Sequence, residues 1–170
     1  MEGTIAGRTA SNMPGLDIAE ERSWQNFLDS ALRMYATLNR SLVDAHHLTL
    51  NDVRLLDILD KSATGSARMG DLAEALMSLP SRVTRQIRRL ELQGLVRRGA
   101  SPDDGRGVLA IITDEGRVLV REAMVTYGEG VRAHFLGRLT RPQVAAMGEN
   151  CRRISAGLKN GANNAKLGRV

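Results

Sequence analysis

The sequence holds one cysteine, Cys151, three histidines, four prolines and five aromatic side chains among 170 residues. A lone cysteine excludes an intramolecular disulfide framework and a thiolate zinc cluster. The histidines are too scattered to suggest a metal by spacing. The only cluster is His46 and His47 near Asp44, and adjacent residues on a helix point about 100° apart, so they share no face. No metal or other cofactor is expected. There is no run of about 18 apolar residues, so no membrane span, and the first 20 residues (MEGTIAGRTASNMPGLDIAE) lack the basic-then-apolar order of a secretion signal. This reads as a cytoplasmic protein with no membrane partner. Also missing are paired carboxylates, a nucleophile elbow and a phosphate loop. Gly105-Arg106-Gly107 is too short for the last and follows no βαβ unit, so the chain does not read as an enzyme. With aromatics at 3%, the core must rest on Leu, Ile, Val, Met and Ala, which suits helices.

What is present is enough apolar residue, 42%, for one real core, and a basic excess of unusual distribution. Lys+Arg number 24 against 19 Asp+Glu, a net +5, and only three of the basic residues are lysines. Between Arg82 and Arg106 lie seven arginines (82, 85, 88, 89, 97, 98, 106) against three acids (Glu91, Asp103, Asp104), a local +4. One short stretch thus carries nearly the charge of the whole chain.

Periodicity orders the chain. Trp24, Leu28, Ala31, Tyr35, Leu38 and Leu42 recur at fours and threes, a helix from about Glu20 to Ala45 with a stripe that another helix must cover. Thr49 and Asp52 form a capping-box-like pair opening a second helix with Val53, Leu56 and Leu59 inward. A third, from Leu72 to about Met77, stops at Ser-Leu-Pro, and Pro80 suits the first position of a fourth, whose buried side is Val83, Ile87 and Leu90 and whose end is Gly94. The runs 95–98 and 108–112 then read as a two-stranded hairpin with a turn-rich tip. Thr113 caps a fifth helix to about Leu136. Thr140 and Pro142 open a sixth, with Val144, Met147, Cys151, Ile154 and Leu158 on its apolar register, so that Cys151 reads as a buried hydrophobe.

The expected fold is therefore mainly α with a small β-hairpin: a winged helix-turn-helix at 48–113, helical dimerisation regions at 20–47 and 114–158, and disordered tails at 1–19 and 159–170. The long striped helices either pack on each other or interleave with a second copy, and the second arrangement, a homodimer, buries the stripes more completely.

Function is carried by the fourth helix. At about 100° per residue, Ser81, Arg85, Arg88 and Arg89 lie within about 50° of the pole opposite its buried side, and Arg82 about 70° from it. A solvated face mixes signs at i,i+4, yet Glu74 and Glu91 are the only acids between Asp71 and Asp103. An arginine-rich face on a short helix suits the major groove of double-stranded DNA, offering donors to guanine N7/O6 and cations to both phosphate rows. Arg106, between two glycines at the hairpin tip, suits a narrow A·T-rich minor groove, with Asp104 orienting it by an ion pair.

The segments LTLNDVRLLDIL (48–59), MGDLAEALMSLPSRVTRQIRRLELQGLVRR (69–98) and SPDDGRGVLAIITDEG (101–116) resemble the MarR family of transcriptional regulators, the resemblance covering roughly Trp24 to Leu158. It implies an obligate dimer of triangular shape on a palindromic operator, with Ser81, Thr84 and Arg85 as groove or phosphate contacts and Asp104 and Arg106 as a wing pair. It further implies release, in the manner of a repressor, by a small aromatic or phenolic ligand between the dimer helices and the DNA-binding lobe, where Tyr35, His46 and His47 fall. The sequence departs from the family pattern at Gly105, where many members carry a first wing arginine, and at Leu79, where a serine often precedes the proline, which leaves the fourth helix without a side-chain cap. The alternative reading is an architectural winged-helix protein that coats DNA with little sequence preference and takes no ligand.

Overall fold

The computed structural model describes residues 13–100 and 107–167. Six α-helices and three strands follow in the order α1 (Ile18–His46), α2 (Leu50–Lys61), β1 (Ser66–Arg68), α3 (Met69–Ala75), α4 (Pro80–Leu92), β2 (Val96–Ala100), β3 (Val108–Ile112), α5 (Asp114–His134) and α6 (Arg141–Leu167), with a 3-10 turn at Leu136–Arg138. This is the mainly helical architecture with a small antiparallel sheet that the sequence implies.

Local chemistry sets the boundaries. The Asp17 carboxylate accepts the Glu20 N–H at 2.8 Å while the Glu20 carboxylate accepts that of Asp17 at 2.9 Å, a complete capping box that starts α1 a little earlier than its apolar stripe suggests. Thr49 and Asp52 form the second box, as the spacing indicated. At the end of α4, Gly94 (φ 74) takes the left-handed conformation. Its N–H donates to the Glu91 carbonyl at 3.0 Å and the Leu95 N–H to the Leu90 carbonyl at 3.0 Å, the paired bonds of a Schellman stop. Thr113 caps α5, its hydroxyl accepting the Gly116 N–H at 3.0 Å and donating to the Gly94 carbonyl at 2.7 Å, so one residue ties the end of α4 to the start of α5.

Three features differ from expectation. The hairpin is the larger part of a three-stranded antiparallel sheet in the order β1-β3-β2, with Ala67 opposite Ala110 and Arg98 opposite Ala110 from the other side. A three-residue strand is too short to show alternation, and β1 forms because the free edge of β3 is there to pair with. Helix α6 continues through 159–167, part of the expected tail. Gly161 costs about 1 kcal/mol in a helix and the three Asn residues are weak helix formers, so these last turns add to a helix already nucleated upstream rather than form on their own preference. Cys151 is exposed rather than buried. Residues 1–12 and 168–170 of the two expected tails lie outside the described residues, as does the wing tip, 101–106.

The chain divides into two compact units, Met1–Tyr127 and Gly128–Val170. Among the described residues every buried one lies in the first unit: Leu42 of α1, Leu56 and Leu59 of α2, Leu72 of α3 and Val83, Ile87 and Leu90 of α4 are all fully enclosed. It is closed by Val96 and Ala110 of the sheet and Val120 of α5, and Arg117 of α5 reaches Asp60 of α2 at 2.6 Å. Of the α1 stripe only Leu38 and Leu42 are buried, whereas Trp24, Leu28 and Tyr35 keep 38–46% of their surface exposed. In the second unit no residue from 128 to 159 is buried, and Ile154 and Leu158 stand open on the apolar register of α6.

Candidate nucleic-acid interface

Helix α4 begins on Leu79, whose backbone carbonyl accepts from Arg82 and Val83 at 2.9 and 3.2 Å, and its side chain supplies no cap. Pro80 occupies the first turn, where a missing N–H costs nothing. The enclosed Val83, Ile87 and Leu90 then fix which way the helix faces. Ser81, Arg82, Arg85, Arg88 and Arg89 are exposed, as the helical geometry required.

These side chains are not equivalent. Arg82, Arg85 and Arg88 have no ion-pair partner among the described residues, which leaves three unneutralised guanidinium groups on one helix. Arg98, by contrast, is paired with Glu91 at 2.8 Å. Thr84 is half-buried and its hydroxyl donates to the Pro80 carbonyl at 2.9 Å, so its proton is committed within the helix. Arg89 donates to the carboxylate of Asp52, a residue with no exposed surface.

Asp52 is what sequence reasoning missed, having assigned it only a capping role. One oxygen, Oδ2, accepts the Thr49 N–H at 2.8 Å and the Thr49 hydroxyl at 2.6 Å; the other, Oδ1, accepts the Gln86 amide at 2.9 Å and the Arg89 guanidinium. Burial by itself would raise the carboxyl pKa, but the donors from Arg89, Thr49 and Gln86 outweigh it and hold the group below the usual carboxylate range. The available signal was that Asp52 shares a helical face with the enclosed Leu55, Leu56 and Leu59, and a carboxylate on a buried register needs partners. Beside this node, Thr49, Asn51, Arg82, Arg85, Gln86 and Arg89 line a cleft of about 310 Å³.

The wing is present as β2 and β3, in register from Val96–Ile112 to Ala100–Val108; Asp104 and Arg106 lie outside the described residues. The three residues expected at an effector site are not brought into one contact. His46 is half-buried with Nε2 2.8 Å from the Thr126 hydroxyl of α5. His47 ends α1 in the left-handed conformation and is exposed. Tyr35 lies on the same face as His46, about 16 Å further up the axis at about 1.5 Å per residue. Among the described residues no group of three or more His, Cys, Asp or Glu is placed to hold a metal ion, and no helix is long and apolar enough to cross a membrane.

A tri-helical core backed by a three-stranded antiparallel sheet, with its most basic helix turned outward, defines a winged helix-turn-helix protein. The MarR family model matches residues 48–108. A MarR family transcriptional regulator from Streptomyces coelicolor solved in complex with DNA, Sco3205, is 32% identical over 84% of this chain and 93% of its own, with a TM-score of 0.81. AbsC, a MarR family transcriptional regulator from the same organism, is 29% identical over 87% of this chain and 99% of its own, also at 0.81. At 23% identity, Bordetella bronchiseptica BpsR shares the fold, covering 82% of this chain and 96% of its own at a TM-score of 0.72. None of the curated proteins matches the chain. The chain belongs to the MarR family of transcriptional regulators.

Proposed function

We propose that this protein is a dimeric, sequence-specific DNA-binding repressor that sets α4 of each protomer in the major groove of a palindromic operator and Arg106 of each wing in the flanking minor groove. The observation that carries the reading is the row of unneutralised guanidinium groups, Arg82, Arg85 and Arg88, on the outward face of a helix whose other side is fully enclosed. Such a helix supplies donors for base edges and cations for phosphates without first breaking ion pairs of its own. The relative Sco3205 was solved in complex with DNA, and Ser81 and Thr84 on the same helix are the further contacts we assign, Thr84 through its methyl group because its hydroxyl proton is held by the Pro80 carbonyl.

Dimerisation is supported by what the protomer leaves open. Large apolar side chains on α1 (Trp24, Phe27, Leu32) and on α6 (Ile154, Leu158) are 40–71% exposed, and the second unit has no buried residue of its own among those described. Contiguous apolar faces of this kind mark an interface, and two copies present two α4 helices to a two-fold symmetric site.

We assign the effector site, for a small aromatic or phenolic ligand, to the end of α1 around His46 and His47, with Tyr35 farther along the same face. On the shared fold, the DNA binding of BpsR is regulated by 6-hydroxynicotinic acid.

The test is selection of duplexes from a random library by the full-length protein at physiological salt, followed by footprinting. An enriched inverted repeat, with half-sites about one helical turn apart, supports the reading. A steep salt dependence without any enriched sequence would instead establish the architectural alternative.

A further inference from the structure

The enclosed carboxylate of Asp52 serves the core poorly, since an apolar residue would fill the same place at less cost in desolvation. Its four donors come from two places. Thr49 belongs to the start of α2, whereas Gln86 and Arg89 belong to α4, 34 and 37 residues farther along the chain. Gln86, Arg89 and Arg82 share one flank of α4. On the opposite flank Glu91 is tied to Arg98 of β2 at 2.8 Å. The buried edge, Val83, Ile87 and Leu90, lies between these two polar anchors. Apolar contacts alone tolerate a helix rolling about its axis by several degrees. Hydrogen bonds to a fixed carboxylate do not. A roll of about 10° carries a side-chain tip about 6 Å from the axis through about 1 Å, enough to break bidentate contacts to a base.

Charge gives a second consequence. Arg89 already faces a carboxylate and is close to neutral as a pair, so it has little counterion to release on meeting a phosphate, unlike Arg82, Arg85 and Arg88.

We propose that Asp52 is a positioning residue of the DNA-reading face: through Gln86 and Arg89 it fixes the roll of α4 against the start of α2, and it withdraws Arg89 from phosphate neutralisation, leaving groove contacts to Arg82, Arg85 and Arg88. This rests on the DNA-binding reading above and revises the role that helical geometry gave Arg89.

The experiment uses the full-length protein, the duplex it enriches from a random library and a scrambled duplex of equal length, with affinities measured by fluorescence anisotropy over a range of salt. If the wild type enriches no sequence, the DNA reading itself fails, which is a separate result. Given an enriched duplex, Arg89→Ala lowers affinity for it about tenfold while the salt slope on the scrambled duplex stays as in the wild type. Asp52→Asn lowers affinity for the enriched duplex by a similar factor and steepens the scrambled-duplex slope by about one unit per bound protomer, because Arg89 is released to phosphate; Asp52→Glu recovers part of the lost preference. Circular dichroism at the assay temperature establishes that each variant is folded, and if Asp52→Asn is not, the Arg89→Ala slope decides. A slope that falls by about one unit per protomer in Arg89→Ala makes Arg89 a phosphate contact and overturns the proposal. So does a loss in Asp52→Asn that is equal on both duplexes, or an unchanged preference in both variants.

Discussion

Gly116, in the first turn of α5, is where two general rules oppose each other most sharply. Alanine is a better helix former than glycine by about 1 kcal/mol and also restricts the unfolded chain, so Gly116→Ala should stabilise a helix free of other contacts. The site is not free. A Cβ at Gly116 would lie 2.2 Å from the Leu95 carbonyl oxygen and 2.9 Å from Ile112 Cγ1. The first neighbour is backbone that cannot swing aside, because the Leu95 carbonyl accepts the Thr113 N–H at 3.1 Å and the Leu95 N–H closes the Schellman turn of α4. Relief needs a shift of about 1 Å in the start of α5, at a cost at or above the usual 1–3 kcal/mol of overpacking. Set against the gain in helix propensity, the net is a destabilisation of about 2 kcal/mol. For a chain of this size that lowers the melting temperature by about 4–8 °C at equal protein concentration. Thermal unfolding followed by circular dichroism measures it. A melting temperature equal to or above that of the wild type would refute the argument that Gly116 is required by the close approach of α5 to Leu95.

Asp52 also fixes a pH dependence. Its folded pKa lies below its unfolded value of about 3.9, so the unfolded state binds the extra proton between the two; the stabilisation is fully present above the unfolded pKa and is lost as pH falls through the folded one. In Asp52→Asn one face of the amide must present N–H to N–H or O–H donors, costing about 2 kcal/mol at neutral pH after allowing for the half-exposed Arg89, which can rehydrate. Acid titrations of unfolding should therefore show a shallower fall below about pH 4 in the variant than in the wild type, and parallel curves would show that Asp52 contributes nothing there. At the proposed dimer face, Leu32→Glu and Ile154→Glu each place a charge at a side chain 59% and 55% exposed in the protomer; with two copies per dimer, sedimentation velocity should show dissociation constants raised on the order of 100-fold. Unchanged mass at micromolar concentration in both variants would remove these faces from the interface. His46→Ala should blunt the release of DNA by small aromatic or phenolic ligands without altering affinity in their absence, and an unchanged titration would move the effector site elsewhere.

Much of the reading head was legible because its determinants are local. Thr49 with Asp52, Pro80 at the start of α4 and Gly94 at its end act within a turn of themselves, and the 3.6-residue period placed Val83, Ile87 and Leu90 inward and the arginines outward. What stayed hidden is non-local. Strand β1 has three residues and owes its form to β3, 45 positions away in the pair Ser66–Ile111. The division of the arginines into paired and unpaired depends on where α2 lies beside α4, which no spacing within α4 reveals. The 3.6-residue period marks the long helices as amphipathic, but a stripe does not say whether its cover lies in the same chain. Cys151 and most of the α1 stripe proved open in the protomer for that reason.

The central claim is that the outward face of α4 reads base sequence, and Arg85 stands nearest the pole of that face. The most direct measurement is the dissociation constant of wild type and Arg85→Ala on the enriched duplex and on a scrambled duplex at physiological salt. A base-reading Arg85 costs the variant about 1–3 kcal/mol on the enriched duplex, roughly fivefold to 150-fold, with a far smaller loss on the scrambled one. Equal losses on both duplexes, or none on either, would contradict it.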